Sequence, residues 1–127
     1  PNVSVFKEQV ALFRKSLMMA APTEEQRKDV DFLLTAGEMF ALVVYGQLIL
    51  ENAVIYEVGE DLIDQIFDFM ARDFSKFALE LHNKPSSTEA QMDYCRKMMR
   101  KPTVDEERYQ RVWEEVHGLD GEYEMRE

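Results

Sequence analysis

Cysteine, proline and glycine are all scarce in this sequence, and each shortage excludes a class of protein. The 127 residues include one cysteine, four prolines and five glycines. The single cysteine, Cys95, allows no internal disulfide, so we expect a reducing, cytoplasmic setting rather than a secreted disulfide scaffold. With so few prolines and glycines, the chain has little room for disordered segments. The glycines also stand far apart, which excludes a glycine-rich phosphate-binding loop.

Positive charge is the second shortage. There are 15 lysines and arginines against 25 acidic residues, so the formal net charge at pH 7 is −10. An acidic surface repels polyanions, which argues against nucleic acid as a partner and against general adsorption to an anionic membrane. The hydrophobic fraction of 46% is ordinary, and 127 residues are enough for one buried core. We therefore expect a single domain spanning residues 1–127.

Apolar residues recur every three or four positions along most of the chain, whereas signals for strands are almost absent. This spacing predicts helices. The first covers residues 5–17 and is closed by a proline. The second opens with a capping box at Thr23 and continues to about residue 57. The third follows Gly59 and has the clearest amphipathic pattern of the chain.

Two further helices follow from boundary signals in the last third of the sequence. Capping boxes are predicted at Ser86 and Thr103, and Gly118 is expected to end the last helix. The acidic tail, residues 118–127, has no periodicity and is expected to fray. Five helices with short connections predict an all-α fold, an antiparallel (up-and-down) helical bundle with four main helices. A start at Pro1 rather than methionine predicts a fragment of a longer chain.

The long apolar run MFALVVYGQLIL stands out in a sequence that is 31% charged. It lies between Glu38 and Glu51, so it is shorter than the stretch of about 20 apolar residues that spans a bilayer. The main interpretation is a central core helix that neighbouring helices cover on all sides. Its stripe of Val43, Val44, Leu48 and Ile49 is expected to form the main seam of the bundle with the third helix. The alternative is that another chain or domain covers one side.

Small residues in the same helix indicate a close contact. Gly37 and Ala41 are four positions apart and share a helical face, and Gly46 follows about two and a half turns after Gly37. A glycine inside a helix costs about 1 kcal/mol relative to alanine, so we expect a contact that larger side chains would block. Gly37, Ala41 and Gly46 are therefore candidate residues of an interface helix.

Signals for chemistry are weak. Glu114 and His117 have the Glu-x-x-His spacing of metal-binding bundles, but only one such pair exists, so no metal site is predicted. Cys95 lies on a methionine-rich face and is expected to be an inert core thiol. Asp61, Asp64 and Asp68 are expected to form a solvated helix face. We predict no catalytic, cofactor-binding or metal-binding residue.

One short patch is basic. The sequence RKMMRK contributes Arg96, Lys97, Arg100 and Lys101 at the end of a helix. Cations complement the negative end of a helix dipole, and acidic residues that follow in the chain could neutralise the patch. The alternative is a docking patch for an anionic surface, either a phospholipid head group or the acidic face of a partner.

Three segments resemble a known family. They read TAGEMFALVVYGQLILENA, DLIDQIFDFMARDFSKFALELHNKPSSTEAQ and MMRKPTVDEERYQRVWEEV. Together they look like the C-terminal helical domain of large acyl-CoA dehydrogenases, the bacterial type and its very-long-chain relatives. The resemblance covers most of the chain through diffuse helical patterns rather than through a catalytic motif.

The resemblance implies a parent enzyme of fatty-acid β-oxidation in which the catalytic body, with its FAD and glutamate base, precedes Pro1. No flavin-binding or base-bearing segment is recognisable here, so no catalytic residue carries over. The implied role is accessory: assembly of a homo-oligomer, stability, or docking of the parent to a membrane or partner. Two alternatives remain open, a stand-alone helical protein-interaction module and a metal-binding bundle.

Overall fold

The computed structural model describes residues 2–102 and 105–124, with side chains described as far as His117. These residues form six helices and no strand, which confirms the predicted all-α bundle. The helices are α1 (Asn2–Met19), α2 (Glu24–Arg27), α3 (Val30–Ile55), α4 (Glu60–His82), α5 (Glu89–Met98) and α6 (Glu106–Glu124).

Helix α4 lies at the centre of the bundle, where it packs against α1, α3, α5 and α6. Its Phe67 and Phe74 are fully buried. The ring of Phe6 on α1 meets both rings edge to face, with centroid distances of 5.3 and 5.9 Å, and Phe13 meets Phe74 at 5.8 Å. Such pairs contribute beyond the area they bury, so this aromatic cluster anchors α1 on α4.

Hydrogen bonds between α1 and α4 define the relative direction of the two helices. The backbone N–H of Asn2 donates to Asp64 Oδ1 at 2.8 Å, and Gln9 Nε2 donates to Ala71 O at 3.2 Å. Both bonds join residues 62 positions apart. A constant separation means that α1 and α4 run in the same direction.

Helices α3 and α5 run in the opposite direction. Lys84, just beyond α4, forms an ion pair of 2.7 Å with Asp31 at the start of α3. Gln91 at the start of α5 donates to Ala20 O, just beyond the end of α1, at 3.3 Å. Helices α1, α3, α4 and α5 therefore alternate in direction along the chain, as the prediction of an up-and-down bundle requires.

Helix α6 breaks this alternation. Its Arg108 contacts Asp64 of α4, and Arg111, further along α6, contacts Asp61, which is earlier in α4. Helix α6 therefore runs opposite to α4 and in the same direction as α5. The reason is that α5 and the segment after it cover the later part of α4, where Ser75 Oγ accepts from the Arg100 N–H at 2.9 Å. The earlier part of α4 remains for α6.

The predicted second helix is two helices. The capping box at Thr23 forms as predicted, with Gln26 as its third residue, but α2 ends after a single turn. Asp29 then starts a new helix, because its carboxylate accepts from the N–H groups of Asp31 and Phe32 at 3.1 and 3.4 Å. A side-chain cap placed here satisfies donors that a continuous helix would have bonded to its own carbonyls.

The capping box of α5 lies two residues later than predicted, at Thr88 and Gln91 rather than at Ser86 and Glu89. Its glutamine pairs with the glutamine of the first box. Gln26 Nε2 donates to Gln91 Oε1 at 2.7 Å, and Gln91 Nε2 donates back to Gln26 Oε1 at 2.8 Å. Both side chains are buried, so this amide pair joins the starts of α2 and α5.

The capping box predicted at Thr103 lies partly outside the described residues. Within them, Asp105 caps α6, since its carboxylate accepts from the Arg108 N–H at 3.0 Å. The predicted helix end at Gly118 is wrong, because α6 continues to Glu124. A helical glycine costs only about 1 kcal/mol, which is too little to end a helix. The tail of residues 118–127 is thus helical as far as Glu124, and its fraying stays a prediction.

Candidate functional site

Helix α3 presents a long apolar surface to solvent. Its inward side is formed by five buried residues, Phe32, Thr35, Met39, Gly46 and Ala53. On the opposite side, nine large apolar side chains are 43–80% exposed. We call these nine residues the α3 outer face: Val30, Leu33, Leu34, Phe40, Val44, Tyr45, Leu48, Val54 and Ile55. A contiguous apolar patch on this scale marks an interaction site in soluble proteins.

The interpretation of this apolar run as a core helix is wrong. Helix α3 packs along α4 on one side, and α2 packs near its start. Only 17% of its most apolar 18-residue stretch is buried. Val43 and Ile49 pack against the core as predicted, whereas Val44 and Leu48 lie on the outer face at 46% and 47% exposure. The surrounded helix is α4, and the alternative, a surface that another chain or domain covers, fits α3 better.

The three candidate interface glycine and alanine residues do not share a face. Gly37 and Ala41 are exposed and lie among the outer-face residues, because Gly37 is three positions from Leu34 and Phe40, and Ala41 is three from Val44 and four from Tyr45. Gly46 is buried on the inward side, where a Cβ atom would overlap the ring of Phe6. Gly46 therefore serves the contact between α3 and α1 within this chain.

An open groove runs between α1 and α3, beside the outer face. It is a cleft of about 290 Å³ with an apolar floor that includes Phe6, Val10 and Leu50. Lys7 and Arg14 of α1 line the same groove, and both are exposed. Neither cation forms an ion pair in the part of the chain that the structure describes. The sequence interpretation overlooked both residues, although their spacing of seven positions places them on one side of α1.

By length and composition alone, α3 could also cross a membrane. The run between Glu38 and Glu51 is too short to span a bilayer, whereas the whole helix has 26 residues. Core helices of soluble proteins and signal sequences share this length and composition.

Two of the four cations in the predicted basic patch form ion pairs with acidic side chains. Arg96 forms an ion pair with Asp93, and Arg100 forms one with Glu8 of α1. The Lys97 ammonium lies over the ring of Tyr94, 5.5 Å from its centroid. Lys101 is exposed. The acidic partners are Asp93 on the same helix and Glu8 on α1, not the acidic residues that follow the patch in the chain.

Asp64 and Asp68 are not solvated, contrary to expectation. Both are buried, at 9% and 4% exposure, and Arg108 of α6 lies between them. The guanidinium of Arg108 contacts Asp64 and donates to Asp68 at 3.4 Å and to Gln65 Oε1 at 3.2 and 3.3 Å. We call this group the Arg108 cluster. Its members bond one another, which is typical of a structural ion-pair network rather than of a reactive site.

A second arginine on the same helix behaves as the sequence predicts for a surface charge. Arg111 donates to both oxygens of Asp61, at 2.7 and 3.0 Å, and both side chains are well exposed. The hydrogen bond from Arg111 lowers the pKa of the Asp61 carboxyl and, in return, raises the pKa of Arg111. Salt and water weaken such a pair.

The remaining candidates for chemistry do not form a reactive site. Cys95 is buried, and burial raises the pKa of its thiol to about 11, so a reactive thiolate is disfavoured at neutral pH. The ring of His117 lies against that of Trp113, with centroids 3.8 Å apart and an angle of 44° between the ring planes. Within residues 2–102 and 105–117, no three His, Cys, Asp or Glu side chains are grouped so that they could hold a metal ion.

No family model, curated protein sequence or solved structure matches this chain. The candidate site is therefore defined by its own geometry: an apolar outer face on α3, with a groove that two cations line.

Proposed function

We propose that this chain is a non-catalytic helical domain that mediates assembly through the α3 outer face. The observation that carries the proposal is the exposure of this face on a helix of 26 residues. At 1.5 Å per residue and a width of about 10 Å, the face covers about 390 Å². Burying that area would contribute roughly 10 kcal/mol before the costs of association are subtracted.

For the larger protein we propose an FAD-dependent acyl-CoA dehydrogenase. The support is the sequence resemblance, and its first segment, TAGEMFALVVYGQLILENA, lies entirely within α3. One of the three segments that resemble the family therefore lies in the helix that carries the outer face. In this proposal, flavin, base and acyl-CoA belong to the catalytic body. The present domain acts in assembly, stability or docking, including docking to a membrane.

A stand-alone interaction module is the second candidate, because the same outer face supports it equally. The reading frame upstream of Pro1 separates the two candidates. A dehydrogenase-like body several hundred residues long would support the accessory domain, whereas a start codon at that position would support the independent module.

The assembly role is tested by a charge placed on the outer face. Leu48→Glu should abolish or strongly weaken the association of the intact protein, measured by light scattering after size exclusion. Leu79→Glu is the matched control, since Leu79 on α4 is 46% exposed and Leu48 is 47% exposed. If both variants associate like the unmodified protein, the outer face is not an assembly surface.

The non-catalytic role is tested by deletion of residues 1–127 from the parent. The shortened parent should keep its FAD and its proton-abstraction step while it loses assembly, stability or membrane association. Loss of the isotope-sensitive step alone, with FAD content and fold retained, would place a catalytic group in this domain and refute the proposal.

A further inference from the structure

We propose that the partner of the α3 outer face is a second copy of this domain, so that α1 and α3 of two copies form a four-helix unit. The inference rests on the proposed assembly function and names its partner. In this arrangement, α3 of each copy lies over the groove between α1 and α3 of the other copy. The contact is two-fold, so each interaction occurs twice.

Charge complementarity within one chain favours a second copy. Helix α3 carries three acidic residues and neither lysine nor arginine. Two of them, Glu38 and Glu51, are exposed. Glu38 is four positions from Leu34, and Glu51 is three positions from Leu48, so both lie on or beside the outer face. The groove beside that face is lined by Lys7 and Arg14. None of these four residues forms an ion pair in the described part of the chain, so each copy offers both halves of a complementary set.

The area available fits a stable dimer. Helices α1 and α3 have 18 and 26 residues, so at 1.5 Å per residue and about 10 Å in width they offer about 660 Å² per copy. Two copies would bury about 1,300 Å², which lies within the range of about 1,200–2,000 Å² for specific interfaces. Gly37 and Ala41, in the middle of the outer face, let the two α3 helices approach closely.

The experiment uses two charge variants of the 127-residue chain and their mixture. One variant carries Lys7→Glu and Arg14→Glu, and the other carries Glu38→Lys and Glu51→Lys. All four positions are exposed, so both variants should fold, which circular dichroism and thermal melts verify. Association is measured by sedimentation at several protein concentrations near 0.15 M salt, where the repulsion between two acidic copies is screened beyond about 8 Å.

Each variant alone should associate at least tenfold more weakly than the unmodified chain, because like charges then face each other. An equal mixture should form a heterodimer with nearly the original affinity, since every pair is opposite in sign again. The second variant brings the net charge closer to zero, so its weakening cannot come from general repulsion. A control with Lys15→Glu and Lys101→Glu, which makes the same charge change outside the groove, should associate normally.

A monomeric unmodified chain at all concentrations, or a mixture that fails to associate, would overturn the inference. The proposed assembly function would survive that result if Leu48→Glu still weakened association of the parent protein. It would fall together with the inference only if Leu48→Glu had no effect there either.

Discussion

Arg108 should be the most important charged residue of this domain for stability. It is 3% exposed, and it lies between Asp64 and Asp68, which are nearly as buried. Arg108→Met keeps most of the side-chain length but removes the guanidinium that contacts both buried carboxylates, while Arg72 still pairs with Asp68. Breaking a buried ion pair in this way costs roughly 3–5 kcal/mol. Since single domains are stable by roughly 5–15 kcal/mol, this loss is between about one fifth and all of the stability.

Urea denaturation followed by circular dichroism measures the loss. The midpoint should fall while the slope with denaturant stays unchanged, because the same surface is exposed on unfolding. Arg111→Met is the matched control: it lies on the same helix and also pairs with an aspartate of α4, but both side chains are exposed. Its denaturation midpoint should stay close to that of the unmodified protein.

Adding Asp64→Asn and Asp68→Asn to Arg108→Met tests the cause of the loss. Neutral amides are much cheaper to bury than carboxylates, so the triple variant should regain part of the lost stability. The reasoning is refuted if Arg108→Met costs less than about 1 kcal/mol, or if the triple variant is no more stable than the single one.

Three further predictions concern the fold. Gly46→Ala should lower the free energy of unfolding by about 1–3 kcal/mol, because the new Cβ overlaps Phe6. Gly37→Ala, with open space around it, should raise the free energy of unfolding by up to about 1 kcal/mol. Thermal melts in which both variants shift the melting temperature in the same direction would contradict this. Burial raises the pKa of the Cys95 thiol from 9.0 to about 11. As the pH rises, the unfolded chain therefore loses the thiol proton before the folded chain does, and the free energy of unfolding should fall between pH 9.0 and about 11. Cys95→Ala should remove that fall in denaturation curves measured over a pH series. Gln91→Ala removes both a capping box and the buried amide pair, and should cost about 1–3 kcal/mol in the same assay.

Features set by neighbouring residues could be predicted from the sequence. Gly59 starts α4, and Thr23 closes a capping box, as their local patterns indicated. The 3.6-residue spacing of α4 correctly predicted that Met70, Phe74 and Leu81 are buried, but it also placed Phe69 inward, and that side chain is 58% exposed. The break at Asp29 was missed because Thr23 already offered a start signal, and two start signals six residues apart were merged into one helix.

Features set by distant residues could not be predicted in this way. Asp64 is buried because Arg108, 44 positions later, covers it, and nothing in the local pattern of α4 distinguishes this aspartate from a solvated one. The apolar composition of α3 indicates that water is unfavourable around it but does not say which molecule replaces the water. Gly37 and Ala41 were correctly placed on one face, yet only the position of α4 determines that this face points outward.

The central position of α4 also has a consequence for synthesis of the chain. The bonds that attach α1 to α4 join residues 62 positions apart, and one that attaches α1 to the end of α5 spans 89. Folding slows as contacting residues become more distant in sequence. The 23 residues of α4 take about 1–5 s to make at roughly 5–20 residues per second. During that time α1 and α3 have no central helix to pack on, and both sides of α3 are open to chaperones or to other nascent chains.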